Sequence, residues 1–299
     1  MPADTLPGSA DVLVVGGGPA GAATAWWLAR AGLDVLVLDR ARFPRPKPCS
    51  EYMSPQASRL LEEMGVLDEV ERAGGAQLAG MTVRAPSGAM IRGVFAGEHR
   101  WRGHRDRGIA LQRTILDPIL LNAARRAGAR VVEGLRVNDL RFDRAGRVSG
   151  ARASGSDGRP IEIGARFVVG ADGLRSIVAR RLGLARAAGL PKRLALVTHY
   201  EGIAGMGELG EMHVERDGYL GLAAVGGGRT NVAVVIPASR AGELSDGAEA
   251  FLERWIAARP QLAPRFAGAR RVTPVRATGP FASRARRPWA PGAALVGDA

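Results

Sequence analysis

The sequence predicts an α/β fold, a Rossmann-like dinucleotide-binding domain interleaved with a second domain built on an antiparallel sheet. Three observations lead there. Residues 11–39 read DVLVVGGGPAGAATAWWLARAGLDVLVLD: a strand, a glycine turn, a helix and a second strand. Short apolar runs around 194–200, 210–214, 219–225 and 231–236, separated by turn residues, have the pattern of a mostly antiparallel sheet. With 299 residues and 46% hydrophobic content, the chain can bury one large or two interleaved cores, which excludes a disordered or fibrous protein.

In the first stretch Leu13 and Val15 alternate as on a buried strand, and Gly16, Gly18 and Gly21 stand in the G-x-G-x-x-G spacing at a helix entry. Gly16 permits the tight turn, Gly18 lets the backbone approach a pyrophosphate, and Gly21 lets the helix pack closely on the strand. Pro19 suits the first helical position, where its missing N–H costs nothing. Gly21, Ala25 and Leu28 fall at i, i+4 and i+7, the face turned to the sheet, and Trp26 and Trp27 beside them read as packing residues. After Gly32 a strand at 35–38 delivers Asp39 where a carboxylate can accept the ribose hydroxyls of an adenine dinucleotide. The anion would rest on the free N–H groups at the helix start. A second match to the spacing, Gly205, Gly207 and Gly210, has neither a following amphipathic helix nor an acid after a following strand, and reads as a loop.

The prolines between Phe43 and Pro48 dictate an extended loop. Ser54 and Pro55 then open a helix carrying Leu60, Leu61 and Met64, closed by Gly65. Hairpin strands of another sheet are expected over 80–104. Arg113 precedes Thr114 and Asp117, which resemble a capping box for a helix with Leu116, Ile119, Leu120, Ala123 and Ala127 on one face. Strands through Val131, Leu140 and Val148, in hairpin order, lead to a buried strand at 167–169 and then GADGLRS. Ser245 is expected to cap a helix containing Phe251, Leu252 and Trp255. Pro291-Gly292 turns the chain into AALVGDA, a strand with no covering helix, so the sequence reads as a protein cut short.

The net charge of +13 comes from 40 Arg but only Lys47 and Lys192, scattered along the chain as coding bias would scatter them. No basic stripe interleaves with aromatics, so no nucleic-acid partner is expected, while an attraction to anionic membranes leaves peripheral contact open. A single cysteine, Cys49, excludes an intrachain disulfide and points to a reducing, cytoplasmic compartment. The uncharged run 12–29 is broken by glycines and proline and preceded by acids, unlike a membrane span or signal. His99, His104, His199 and His213 lack metal-ligand spacing, and no metal site is expected.

With these residues in place, the chain resembles the FAD-dependent oxidoreductases of the geranylgeranyl reductase and p-hydroxybenzoate hydroxylase type. The resemblance rests on GGGPAG with Asp39, the FPRPKPCSEYMSP loop, Arg113 before its helix, GADGLRS as the D-G motif and LVGDA as the G-D motif. It implies that Gly16, Gly18, Pro19, Ala20, Gly21, Asp39 and Arg40 hold the ADP half of FAD and that Arg113 contacts the cofactor. It also implies that Asp172 and Gly173 lie near the pyrophosphate, and Gly297 and Asp298 by the ribityl chain. The implied organisation is an FAD-binding domain from 1–79, 105–185 and 275–299, and a substrate domain from 80–104 and 186–274. No second complete fingerprint exists for NAD(P)H, so this electron donor would dock transiently, unless electrons come from another donor.

The sequence departs from the family where Ser50 and Glu51 follow Cys49 in place of the usual glycine, and the W-x-W-x-I-P signature of flavin halogenases is missing. Cys49 reads as a thiol beside the flavin or as a small buried residue. Lys47 reads as an anion-orienting group or a solvated side chain, and Glu51 as a proton donor or an exposed carboxylate. The leading expectation is an enzyme that reduces carbon–carbon double bonds of an apolar, isoprenoid-type small molecule. The alternatives are an FAD monooxygenase using NAD(P)H and O2, and a non-catalytic truncated fragment.

Overall fold

The computed structural model describes residues 8–97, 103–187, 192–281 and 283–299; His99 lies outside them. The chain divides into two compact units. One comprises Met1–Arg45, Leu116–Ala188 and Ser283–Ala299, the other Pro46–Ile115 and Gly189–Ala282.

The first unit is built on β1 (Ser9–Val15), α1 (Pro19–Arg30) and β2 (Val35–Asp39). β1 lies between β2 and the strand Pro160–Gly170, parallel to both, with Val12 beside Val35 on one side and Phe167 on the other. Arg130–Glu133 extends the sheet beyond β2, and Ala293–Leu295 extends it beyond Pro160–Gly170. Leu13, Val15, Leu36, Leu38, Ile163 and Val168 form its core. Arg130–Glu133 runs parallel to β2, so the expected hairpin order begins one strand later, with Arg136–Phe142 and Val148–Ser154. The reason is the helix Arg113–Arg126 before it: a chain returning over a helical crossover enters the sheet parallel.

The face of α1 against the sheet is Gly21, Ala22 and Ala25, while Leu28 is only half-buried. The helix lies too close to the sheet for larger side chains. Trp27 is 48% exposed and meets Trp26 edge-on at 4.7 Å, so it packs at the surface and not in the core. Helix Arg113–Arg126 begins at Arg113, and the expected capping acid Asp117 is fully buried, facing Arg45 at 3.2 Å.

In the second unit the sheet order is Arg270–Arg271, Arg193–Glu201, Arg229–Pro237, Gly218–Ala224, Leu209–Glu215, Gly80–Arg84 and Met90–Val94. Neighbours are antiparallel except Leu209–Glu215 with Gly80–Arg84. Leu196, Leu220, Leu222, Val232, Val234 and Ile236 cluster with Phe251, Leu252, Trp255 and Ile256 of helix Ala248–Ala257. That helix is capped by Gly247 at φ +100°, whereas Ser245 ends the preceding 3-10 turn. Gly205 and Gly207 precede the strand Leu209–Glu215, with no helix after them.

The unit boundaries differ from those expected. Tyr52–Met53, Gly108–Ala110 and Ala76–Leu78 form a small sheet, and its Leu78 and Ala110 pack on Val225, which draws 46–79 and 105–115 into the second unit. Arg276–Phe281 likewise belongs there, because it pairs with Arg193–Glu201.

Arg265, on the short helix Ala263–Phe266, donates to both Glu211 oxygens at 2.5 and 2.8 Å, and His213 Nε2 lies 2.7 Å from Glu211 Oε2. Burial pushes the Glu211 carboxyl up, but the hydrogen bonds from Arg265 and His213 outweigh it and hold it at about 2. A carboxyl depressed in the folded state contributes stability above its ordinary value of 4.5, and that contribution is lost as pH falls towards 2. Arg265→Met is therefore expected to lower stability by about 3 kcal/mol at neutral pH and by much less at pH near 3. Urea unfolding curves across that range would check it; an equal loss at both ends would refute the assignment.

Candidate functional site

β1 is the strand from which the sheet is extended in both directions, β2 to one side and Pro160–Gly170 to the other. In open parallel sheets the crevice at the carboxyl ends of such strands is where ligands bind. The glycine turn occupies it. Gly16 has φ +106°, and a Cβ there would stand 2.5 Å from the Ala171 carbonyl oxygen. A Cβ on Gly21 would fall 1.8 Å from the Gly16 carbonyl oxygen, so only glycine lets α1 start this close to the turn. Gly18 is the N-cap, extended and without a side-chain cap; Pro19 follows, and no acid lies in the first turn. The start of α1 is thus free of side-chain acceptors, and its amide dipoles suit an anion.

Asp39 ends β2 with 6% exposure. Its Oδ2 accepts the Gly17 N–H at 2.7 Å and its Oδ1 the Ala41 N–H at 2.8 Å, leaving each oxygen a further lone pair for a hydroxyl donor. Arg40 beside it is exposed. The D-G and G-D segments border the same turn. A Cβ on Gly16 would also reach 3.0 Å from the Asp172 Cα, and one on Gly297, at φ +64°, would stand 2.8 Å from the Ala20 Cβ. Asp172 Oδ2 accepts the Ile177 N–H at 2.6 Å, while its Oδ1 is buried with no hydrogen-bond partner among the described residues. Gly173 follows at φ +77°, and Asp298 is exposed beyond Gly297. Close glycine backbone, an uncapped helix start, a hydroxyl acceptor and an orphaned buried oxygen fit an adenine dinucleotide.

The other expected site residues, Lys47, Cys49, Glu51 and Arg113, belong to the second unit. Lys47 is exposed and Cys49 half-buried. Glu51 is buried at 5% exposure, against the reading of an exposed carboxylate. Its Oε1 accepts the Arg113 backbone N–H at 2.9 Å, and its Oε2 meets His199 Nε2 at 2.6 Å and Asn231 Nδ2 at 3.0 Å. Arg113 thus enters this cluster through its backbone. His199 and Asn231 face each other across adjacent strands, Arg193–Glu201 and Arg229–Pro237. Sequence reasoning missed both: only the strand register brings them to Glu51. Among the described residues no group of three or more His, Cys, Asp or Glu side chains could hold a metal ion.

Fold and turn together define an FAD-type dinucleotide-binding α/β protein. The family model of the FAD binding domain matches residues 9–197, and the chain belongs to that family, within the flavoprotein oxidoreductase superfamily that its motifs announce. It is 38% identical over 182 residues to the menaquinone reductase of Mycobacterium tuberculosis, covering 58% of this chain and 40% of that protein. It is 33% identical over 236 residues to digeranylgeranylglycerophospholipid reductase 2 of Methanopyrus kandleri, covering 77% of this chain and 55% of that protein. The chain therefore spans about half, or less, of the length of these relatives. Among solved structures, the myxobacterial chondrochloren halogenase CndH superposes with a TM-score of 0.89 at 28% identity, covering 98% of this chain and 68% of that one.

Asp39→Ala is expected to weaken FAD binding about 10- to 100-fold, the loss that follows when a charged acceptor is taken from a hydroxyl donor. Flavin fluorescence titration would measure it. Unchanged affinity would remove Asp39 from the ribose site.

Proposed function

We propose that the chain is an FAD-dependent oxidoreductase, similar to geranylgeranyl reductases, that reduces carbon–carbon double bonds of an apolar, isoprenoid-type substrate. The observation that carries this reading is the KPCSE loop, which sets Cys49 two residues from a buried carboxylate paired with a histidine. Supporting it are two relatives named as reductases, one of menaquinone and one of a digeranylgeranylglycerophospholipid. The halogenase likeness shows that the fold alone does not choose the reaction.

In this reading Gly16, Gly18, Gly21, Pro19 and Ala20 seat the pyrophosphate against α1. Asp39 takes the ribose, with Arg40 beside it, and Asp172, Gly173, Gly297 and Asp298 complete the cofactor's surroundings within the first unit; a cofactor contact for Arg113 is what the family resemblance implies. Reduced FAD supplies a hydride when bound, with NAD(P)H as the expected source of electrons. Adding hydrogen across a double bond needs one hydride and one proton. The proton falls to the loop of Lys47, Cys49 and Glu51, where the short contact between Glu51 Oε2 and His199 Nε2 holds one between carboxylate and imidazole. The substrate is a small apolar molecule, and the single cysteine suits a cytoplasmic setting. Among the described residues no helix is long and apolar enough to cross a membrane.

Chemically reduced, FAD-loaded protein incubated without oxygen with polyprenyl quinones and phospholipids is expected to yield products still heavier by two hydrogens after any quinol has been reoxidised in air, read by mass spectrometry. A product carrying oxygen, with substrate-stimulated NAD(P)H oxidation and stoichiometric O2 use, would instead establish the monooxygenase alternative. No turnover of either kind would reject both.

A further inference from the structure

Glu51 is the only non-glycine among the described residues with a left-handed backbone, at φ +61°. For an L-residue this conformation is sterically costly, so something must hold it. What holds it is a set of donors from distant segments. Its carboxylate meets the Arg113 N–H, Asn231 Nδ2 and His199 Nε2, and its carbonyl accepts the Leu111 N–H at 3.1 Å. Its own N–H points at Cys49 Sγ, 3.4 Å away. Asn231 Nδ2 also donates to the Cys49 carbonyl at 2.8 Å, so one amide group clamps both ends of the Cys49-Ser50-Glu51 turn.

His199 is held as firmly on its other side. Thr273 Oγ1 accepts the His199 backbone N–H at 2.9 Å and lies 3.1 Å from its Nδ1, while Thr198 Oγ1 donates to the Thr273 carbonyl at 2.6 Å. An ionised Glu51 only accepts, so the Nε2 facing it carries a proton and the Thr273 hydroxyl can donate to Nδ1. With Nδ1 protonated as well, the Thr273 hydroxyl accepts from it and can turn its own proton to Thr198 Oγ1, 3.1 Å away, and every group keeps a partner.

We propose that His199 and Asn231 are positioning residues that act through Glu51: together they lock the Cys49 turn in its left-handed form and thereby set the presentation of Cys49. The catalytic consequence rests on the reductase reading. The lock itself belongs to the protein without cofactor.

Cys49 is the sole cysteine, so a maleimide reports this turn alone. Labelling of the full chain without FAD is expected to run at least tenfold faster in His199→Ala and in Asn231→Ala. His199→Gln, which keeps a donor towards Glu51, is expected to return to within about threefold of the unsubstituted protein. The His199→Ala, Asn231→Ala double variant is expected to gain little over either single one, since both release the same turn. Unchanged labelling in the folded single variants would overturn the proposal. So would an equal acceleration in Leu222→Ala, a core substitution remote in role from the turn, because the effect would then be general loosening. Should the alanine variants fail to fold, hydrogen exchange of the unsubstituted protein decides: the Arg113 amide is expected among the slowest of its segment, and rapid exchange there would overturn the lock. In FAD-loaded enzyme the same variants are expected to lower kcat with FAD affinity unchanged. Loss of turnover in the unsubstituted enzyme would sink the reductase reading while leaving the labelling result intact.

Discussion

The approach of α1 to the glycine turn is the constraint from which the first unit follows. A side chain at position 21 would have to occupy the space of the Gly16 carbonyl oxygen, so the helix starts against the turn only because that position is bare. That closeness explains why the sheet-facing side of α1 carries Gly21, Ala22 and Ala25, and why Leu28 and the two tryptophans sit further out. The turn that leads into α1 is itself tied to β2, because the Asp39 carboxylate accepts the Gly17 N–H. Dense packing and anion affinity are therefore one property of this segment.

The second unit solves a different problem with polar groups. A buried carboxylate is tolerable only when its oxygens are satisfied, and Glu51 obtains donors from residues 113, 199 and 231. Nonpolar packing occupies the other face of the same sheet, where Val232 and Val234 alternate with Asn231 and point towards helix Ala248–Ala257. The period-two alternation of strands thus lets Arg229–Pro237 serve the helix-backed core with Val232, Val234 and Ile236, while on its opposite face Asn231 joins the polar cluster and Ala233 and Val235 a second apolar one.

Much of this was legible in the sequence where the cause is local. The β1–α1–β2 unit and the placing of Asp39 follow from strand alternation and glycine spacing within one short stretch. The antiparallel strands of the second sheet were equally visible, because each carries its own alternation and turn residues. What escaped depends on distant partners. Asp117 looks like a capping acid until Arg45 is brought beside it. Ser245 looks like a cap until Gly247 takes the turn with a positive φ. Glu51 resembles any surface glutamate, since its burial is decided by a strand register that no stretch of sequence displays, and His199 carries no motif at all.

The sheet of the first unit has a consequence for how the chain is made. β1 and β2 are both available for pairing once residue 39 has been made, but the other edge of β1 waits for Pro160–Gly170, and that strand in turn waits for Ala293–Leu295. At roughly 5–20 residues per second, synthesis separates the pairing of β1 with β2 from its pairing with Pro160–Gly170 by about 6–26 s. Throughout that interval a strand made of Val12, Leu13, Val14 and Val15 has one bare hydrogen-bonding edge, the kind of surface that recruits strands from other nascent chains. The order in which this protein is written makes its earliest strand the one most in need of a chaperone.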